Sequence, residues 1–170
     1  LRAAQTGSVP VWLRAPQARP PAERGRRLRL LVAVDGSAES IHAAAWAARI
    51  APRFGDVALD LVSVQPPFSP LSGLLDATAH RFDHWSQRIG EAGVGAARKA
   101  TAATTAAVSS GICTGETVDE LCRRADEIDA DAIVVGPRGL GAIGQVLLGS
   151  VSSGLLQTAG RPVIVVPGGA

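Results

Sequence analysis

The residues best suited to chemistry in this sequence are the glycines of the segment GPRGLGAIGQVLLGSVSSGLL (136–156), which directly follows the apolar run DAIVV. Glycine lets the backbone approach a ligand closely and adopt positive φ, at a cost of roughly 0.5–1 kcal/mol inside regular structure. Gly149 and Ser150 stand at the predicted start of a helix, whose free N–H groups and positive dipole end favour an anion. Ser150 adds a hydroxyl group and Arg138 a cation. The pattern therefore predicts a loop that cradles phosphate with main-chain groups.

The segment matches neither of the two commonest phosphate loops. A Walker A loop needs Lys followed by Ser or Thr after GxxxxG, and this segment has no such pair. The stretch GLGAIG (139–144) has the letters of GxGxxG, but a dinucleotide-binding fingerprint should follow the first strand, where DGSAES (35–40) stands instead. A tight strand–helix connection without a ligand is the alternative to a phosphate site.

Nearly continuous apolar runs predict four parallel strands covered on both faces of a sheet, at 28–34, 57–64, 132–136 and 162–166. A weaker fifth strand is expected within 105–114. Strands that alternate with helical segments predict an α/β doubly wound sheet with right-handed crossovers. In such sheets ligands bind beyond the carboxyl ends of the strands, where the strand order reverses. If the first and fourth strands are neighbours, the glycine-rich segment lies over that point.

Helices between these strands must position the segment. Four helices are predicted. The first begins after Ser37 and ends at Pro52, and the second covers about 80–105. The third begins at Thr117, and the fourth runs from Ser150 to Gly160. Ser37 is a natural N-cap, and Thr117 with Glu120 has the spacing of a capping box. The first helix contains so many alanines that its buried face stays undecided.

Composition excludes several classes of protein. The chain has 170 residues, of which 46% are hydrophobic and 19% charged, so one domain with a sizeable core is expected. A net charge of +2 and an aromatic content of 4% disfavour a nucleic-acid-binding surface. The sequence has no apolar run of membrane-spanning length and no signal peptide, so we expect a cytoplasmic protein without membrane insertion. Cys113 and Cys122 have neither zinc nor disulfide spacing and are expected to be reduced and half-buried.

The first residues echo the last. LRAAQTGSVPVWLRAP (1–16) is similar to LLQTAGRPVIVVP (155–167), and the chain begins at Leu1 and contains no methionine. We therefore interpret 1–16 as the last helix turn and strand of a preceding repeat, or as an N-terminal arm. The Pro/Arg-rich residues 17–27 are then a linker, and 28–170 form one domain. A chance match between short apolar stretches is the alternative.

A longer spacing is more specific. Gly136-x2-Gly139-x9-Gly149-Ser150, after an apolar strand and before a final helix and strand, resembles the ATP-binding signature of the universal stress protein family. LLVAVDGS (30–37) and LVSVQP (61–66) resemble that family's first two strands, and the stretch from Gly149 to Pro167 resembles its ending. The resemblance covers 28–167 and implies a Rossmann-like, five-stranded parallel sheet in the order 3-2-1-4-5, with helices on both faces.

The resemblance also implies an ATP-binding stress-response or regulatory domain, with Mg²⁺ accompanying the nucleotide. Carried over by position, the adenosine side is contacted by Ala33, Val34 and Asp35, the adenine edge by the backbone of Val64, and the ribose by Val135. The implied phosphate-binding residues are Gly136, Arg138, Gly139, Gly149, Ser150, Val151 and Ser152. Pro137 departs from the family pattern, because the family usually has a small residue with an N–H group there.

Catalysis is not expected. Nucleotide hydrolysis needs a base or a water-positioning group, usually with a carboxylate that holds a metal ion. The segment 136–152 contains no Asp, Glu, His or Lys. His80 and His84 have the i, i+4 spacing of one side of a metal site, but no third ligand is evident nearby. We therefore predict a binding protein with no catalytic residues and no metal site of its own, or at most a very slow ATPase.

Two further readings stay open. The chain could be a nucleotide-free family member that acts through protein contacts, with an empty or collapsed pocket. It could also be the regulatory domain of a larger protein, such as the second half of a tandem stress protein or a domain of a transporter. In the family the last strand commonly lies at a sheet edge. We expect 162–166 to pair antiparallel, either with another copy in a homodimer or with VPVWL (9–13) as an intramolecular pseudo-dimer.

Overall fold

The computed structural model describes residues 12–14, 27–67, 76–137 and 148–167, with only the backbone described at 12–14 and 76–84. Its strands are β1 (Trp12–Arg14), β2 (Leu28–Ala33), β3 (Val57–Gln65), β4 (Ala107–Thr114), β5 (Ala132–Val135) and β6 (Val163–Val165). Its helices are α1 (Ala38–Ile50), α2 (Asp76–Ala100), α3 (Thr117–Glu127) and α4 (Ser150–Thr158), and a 3-10 turn (Ala51–Phe54) extends α1.

All of these strands belong to one sheet in the order β1-β6-β5-β2-β3-β4. Strands β2 to β6 are parallel, and β1 pairs antiparallel with β6. Counted without β1, the parallel strands follow the order 3-2-1-4-5, which confirms the predicted doubly wound α/β fold. The strand order reverses between β2 and β5, because the chain leaves β2 toward β3 on one side and reaches β5 and β6 on the other.

Two apolar layers pack against the two faces of the sheet. Helices α1 and α2 cover one face, whose buried residues include Val32, Leu59, Leu61 and Val134. Helices α3 and α4 cover the other face, whose buried residues include Leu31, Ile133, Leu121 and Leu155. The buried side of α1 consists of Ala43, Ala44, Ala47 and Ala48. Side chains this small let the helix axis lie close to the sheet. The structure thereby identifies the buried face of α1, which the alanine-rich sequence left undecided.

Helix α2 continues without interruption through Gly90, Gly93 and Gly95. Each glycine inside a helix costs roughly 0.5–1 kcal/mol relative to alanine, so a close approach is the usual reason for keeping one. An added Cβ at Gly90 would lie 3.2 Å from two side-chain carbons of Ile112 on β4, whereas an added Cβ at Gly95 would meet no atom within 4 Å. Residues 101–105, which were predicted to belong to this helix, lie beyond its end and form a turn. In this turn Thr104 Oγ1 donates a hydrogen bond to the Ala48 carbonyl at 2.8 Å.

The predicted N-cap of α1 is confirmed, and the predicted capping box of α3 is wrong. Ser37 Oγ accepts a hydrogen bond from the Ser40 N–H at 3.1 Å. In α3 the N-cap is Glu116, without a side-chain capping bond, so that Thr117 is the first helical residue. Glu120 is then the fourth residue after the N-cap, one position later than a capping box requires. Its carboxylate instead accepts from Arg123 Nη2 at 2.6 Å.

A buried carboxylate in the second parallel strand is neutralised by the third helix. Asp60 of β3 has a side chain only 7% exposed and forms an ion pair with Arg124 Nε at 2.9 Å. Its other oxygen accepts a hydrogen bond from Ser109 Oγ of β4 at 2.7 Å. Burying a carboxylate is costly unless it is paired and hydrogen-bonded. The three side chains therefore fix α3 over the β3–β4 pair.

Arg124→Ala should lower the free energy of unfolding by about 1–3 kcal/mol, because the buried Asp60 carboxylate loses its ion-pair partner. Arg123→Ala is the matched control. The Arg123 side chain is 52% exposed and pairs with Glu120 and Glu127 at the surface, so its loss should change the free energy by no more than about 0.5 kcal/mol. Urea denaturation measures both. Equal effects of the two substitutions would contradict the role given to Asp60.

Both cysteines are free and half-buried, as predicted. Burial raises the pKa of the Cys113 and Cys122 thiols above the ordinary value. The folded state therefore holds these protons more tightly than the unfolded state. Stability from this source is fully present below the unfolded thiol pKa and is lost as the pH rises through the folded pKa.

A thiol reagent should label Cys113 and Cys122 much more slowly in the native protein than in the urea-unfolded protein at about pH 8, because burial suppresses the reactive thiolate. The rate of disulfide exchange with a chromogenic reagent measures this difference. Equally fast labelling in the two states would show that neither thiol is protected by the fold.

The edge of β6 is covered by the same chain. β1 contains Trp12 and Leu13 of the predicted segment 9–13, and its register is Trp12↔Val165, Leu13↔Ile164 and Arg14↔Val163. The antiparallel pairing predicted for the last strand is therefore confirmed, with the N-terminal segment as its partner. The unpaired N–H and C=O groups that an edge strand exposes are satisfied at this side of β6.

Candidate functional site

A cavity of about 640 Å³ opens at the carboxyl ends of the strands, where the strand order reverses. Most of the predicted binding residues line it: Ala33, Val34, Asp35, Val64, Val135, Gly136, Gly149, Ser150, Val151 and Ser152. Arg138 and Gly139, which were also predicted, lie outside the described residues. The topology thus brings together three separate stretches of sequence: the end of β2, the end of β3, and the segment from β5 to α4.

The turn between β2 and α1 presents Asp35 to the cavity. Asp35 Oδ1 accepts hydrogen bonds from the Ser37 N–H at 2.9 Å and from Ser37 Oγ at 2.6 Å. The Asp35 N–H donates to Ser40 Oγ at 3.3 Å. Gly36 between them has φ = +85°, which glycine adopts without the steric penalty of a side chain. The carboxylate is thereby held at the N-terminus of α1, where the helix dipole favours negative charge.

The glycine-rich loop is closed at its base. The Gly149 N–H donates to the Pro137 carbonyl at 2.6 Å, and Ser152 Oγ lies 3.0 Å from the same oxygen and 3.1 Å from the Gly149 carbonyl. Proline at 137 offers no N–H group, yet its carbonyl is the acceptor that joins both ends of the loop. Ser152 is only 2% exposed, and its hydroxyl proton is directed to main-chain oxygens. The hydroxyl of Ser152 therefore holds the loop together.

The N-terminus of α4 forms the polar end of the cavity. Its N-cap is Gly149, without a side-chain capping bond, and Ser150 and Val151 line the cavity as the first helical residues. The first N–H groups of a helix have no acceptor within that helix. With the positive end of the helix dipole, these groups suit an anion. The backbone of Gly136 borders the same space, and an added Cβ there would lie 3.0 Å from the carbonyl carbon of Glu39.

The lining of the cavity is mostly apolar, and it was only partly predicted. Seven lining residues were not predicted from the sequence: Ser40, Val62, Gln65, Pro66, Ile89, Thr117 and Leu121. Ile89 and Leu121 come from α2 and α3, and only their position in the fold brings them to the strand ends. Gln65 is 8% exposed, donates from Nε2 to Ser63 Oγ at 2.9 Å, and accepts from Ser86 Oγ at 3.3 Å. Apolar side chains beside one amide held by hydrogen bonds suit a planar ring.

Acidic and metal-binding side chains are few in the described part of the cavity. Asp35 is the one carboxylate that lines the cavity in the described ranges. Within the same ranges no group of three His, Cys, Asp or Glu side chains could hold a metal ion. The side chains of His80 and His84 lie outside the description. None of the helices described is long and apolar enough to cross a membrane.

Comparison with known proteins agrees with this geometry. A model of the universal stress protein family matches residues 27–167. A universal stress protein of Mycolicibacterium smegmatis is 34% identical over 149 residues, which cover 82% of this chain and 48% of that protein. The chain thus spans about half the length of the curated relatives it matches.

Solved structures show the same fold. UspA from Lactobacillus plantarum is 24% identical, with a TM-score of 0.73, over 83% of this chain and 98% of that one. A universal stress protein crystallised in complex with cAMP is 27% identical, with a TM-score of 0.59, over 84% of this chain and 98% of that one. Because the family model spans most of the chain and the sheet has the family's strand order, the chain belongs to the universal stress protein family.

Proposed function

We propose that this chain is a stress-response domain that binds an adenine nucleotide, ATP, in the cavity at the strand-order reversal. One observation carries the proposal: the same cavity is lined by apolar side chains and by the uncapped N-terminus of α4, which suits an anion. A nucleotide has the same two parts, a flat base and a chain of phosphates. The similar protein crystallised with cAMP supports an adenine nucleotide as the ligand class.

The orientation of the nucleotide is proposed from the N-terminus of α4, which suits the phosphates. The base belongs between the apolar residues near Val64 and Leu121, with the adenine edge at the Val64 backbone. The ribose belongs beside Val135 and Asp35, since a carboxylate accepts hydrogen bonds from hydroxyl groups. The phosphates belong at the N-terminus of α4. The residues proposed to surround them are Gly136, Arg138, Gly139, Gly149, Ser150, Val151 and Ser152. In this arrangement Ser152 acts by closing the loop, because its hydroxyl is directed to Pro137.

The proposed role is binding without efficient catalysis. Asp35 lies toward the ribose, so it does not supply a base or a metal-holding carboxylate beside the terminal phosphate. Mg²⁺ would therefore arrive with the nucleotide, held mainly by phosphate oxygens and water. The bound nucleotide would then act by stabilising the closed loop and the surfaces it presents to a partner.

Gly149→Val should abolish ATP binding or weaken it at least about tenfold, because a branched side chain at the N-cap of α4 occupies the space that the phosphates need. Adenosine, which lacks phosphates, should bind wild type and variant about equally. Calorimetric titration of the nucleotide-stripped protein with ATP·Mg and with adenosine measures both affinities.

Gly160→Ala is the matched control, because an added Cβ at Gly160 would meet no atom within 4 Å. This variant should bind ATP as wild type does. If wild type gives neither heat nor a thermal shift at millimolar ATP, the proposal is wrong. The chain is then a nucleotide-free member of the family that acts through protein contacts.

We also propose that residues 1–16 are the end of a preceding repeat, 17–27 a linker, and 28–170 the second unit of a tandem protein. Three observations support this arrangement: the echo between the first and last residues, the antiparallel β1–β6 pair, and the half-length match to the curated relatives. β1 would then take the place that the last strand of a partner occupies in a two-fold pair, which makes the chain an intramolecular pseudo-dimer.

Removal of residues 1–14 should convert the chain into a homodimer, because β6 then exposes an uncharged edge that a second copy can pair with. Removal of residues 1–8 is the control, since it leaves β1 in place and should leave the protein monomeric. Sedimentation equilibrium gives the mass of each form. A monomeric, soluble 15–170 fragment would contradict the proposal that β1 substitutes for a partner strand.

A further inference from the structure

Helix α2 approaches the Asp35 turn closely at Gly93, where backbone meets backbone. An added Cβ at Gly93 would lie 3.0 Å from the Gly36 nitrogen, 3.3 Å from the Gly36 Cα and 3.3 Å from the Asp35 carbonyl carbon. Seen from the other side, an added Cβ at Gly36 would lie 3.4 Å from the Gly93 Cα. Two glycines therefore face each other where α2 crosses the start of α1, and no side chain separates the helix from the turn.

The turn has little freedom to move away from such a contact. Gly36 has φ = +85°, and the residues around it are held by the hydrogen bonds from Ser37 to Asp35 Oδ1 and from the Asp35 N–H to Ser40. Ser37, the N-cap of α1, and Ser40 in its first turn are both buried. A displacement of Gly36 would therefore shift the Asp35 backbone and carboxylate together. Because Asp35 lines the cavity, such a shift would change the site.

We propose that Gly93 is a positioning residue for the nucleotide site: through its contact with Gly36, helix α2 sets the place of Asp35. The inference rests on the proposed function, because Asp35 is assigned to the ribose. It also goes further, because the position of α2 then affects the affinity for the nucleotide through Asp35, a residue outside that helix. Occupation of the site and the position of α2 are then linked through this backbone contact, in addition to Ile89 of α2, which lines the cavity.

Packing alone is the competing explanation, in which Gly93 lets α2 lie close and has no effect on the ligand. The two explanations differ in what they predict for ligands. A packing role lowers the melting temperature and leaves affinity, measured well below that temperature, unchanged. A positioning role weakens adenosine, AMP and ATP by the same factor, because the disturbed contact is to the nucleoside that all three share.

The experiment compares Gly93→Ala with Gly95→Ala, two alanine substitutions in the same helix. An added Cβ at Gly95 meets no atom within 4 Å, so this control carries the change in helix propensity without the crowding. Titration calorimetry with adenosine, AMP and ATP·Mg should show Gly93→Ala binding each ligand about ten- to a hundredfold more weakly than wild type. That range corresponds to the loss of one hydrogen bond to a charged group. Gly95→Ala should match wild type.

A second measurement needs no substitution and decides the matter if Gly93→Ala fails to fold. In wild-type protein titrated with AMP, the amide resonance of Gly93 should shift together with those of Gly36 and Ser37, whereas that of Gly95 should not. Wild-type affinity retained in a folded Gly93→Ala, or a Gly93 amide that AMP leaves unmoved while Gly36 shifts, would overturn the inference. Failure of wild type to bind any of the three ligands would instead overturn the proposed function.

Discussion

The parallel pairing of β2 with β5 is the constraint on which the rest of the structure depends. Its register, Leu30↔Ala132, Leu31↔Ile133 and Val32↔Val134, places the ends of these two strands side by side. The chain leaves β2 into α1 and leaves β5 toward α4, and these helices cover opposite faces of the sheet. The connections diverge, so the space between them is left open. The cavity exists because of this divergence.

Glycines convert that space into a site by letting backbones meet. Gly136 brings the end of β5 against α1 at Glu39, and Gly36 and Gly93 bring α2 against the Asp35 turn. Gly154 allows α4 to approach α3, since an added Cβ there would lie 2.8 Å from a methyl carbon of Val118. Each contact fixes one wall of the cavity relative to another. The glycines of this chain therefore allow close approach between elements, in addition to forming the glycine-rich loop between β5 and α4.

Charged groups away from the cavity keep the helices in register with the sheet. Arg161, only 8% exposed, donates to Asp126 at 2.9 Å and Asp129 at 3.2 Å, and also to the Ala130 carbonyl. It thus ties the connection before β6 to the turn that follows α3. A guanidinium group suits this position because its planar fork serves several acceptors at once. With the Asp60–Arg124 pair, it anchors the C-terminal end of α3.

The sequence by itself determined the class of fold and the bounds of the strands to within one or two residues, and with the family resemblance it indicated ten of the residues that line the cavity. Continuous apolar runs identify parallel strands because both faces of such a sheet are buried, and the spacing from Gly136 to Ser150 marks the loop because it is local in the chain. Only the tertiary structure decided that Ile89, Leu121 and Gln65 line the cavity, that Glu116 caps α3, and that Gly93 contacts Gly36. These features depend on how separate elements pack against one another, and no local pattern of residues encodes such distances.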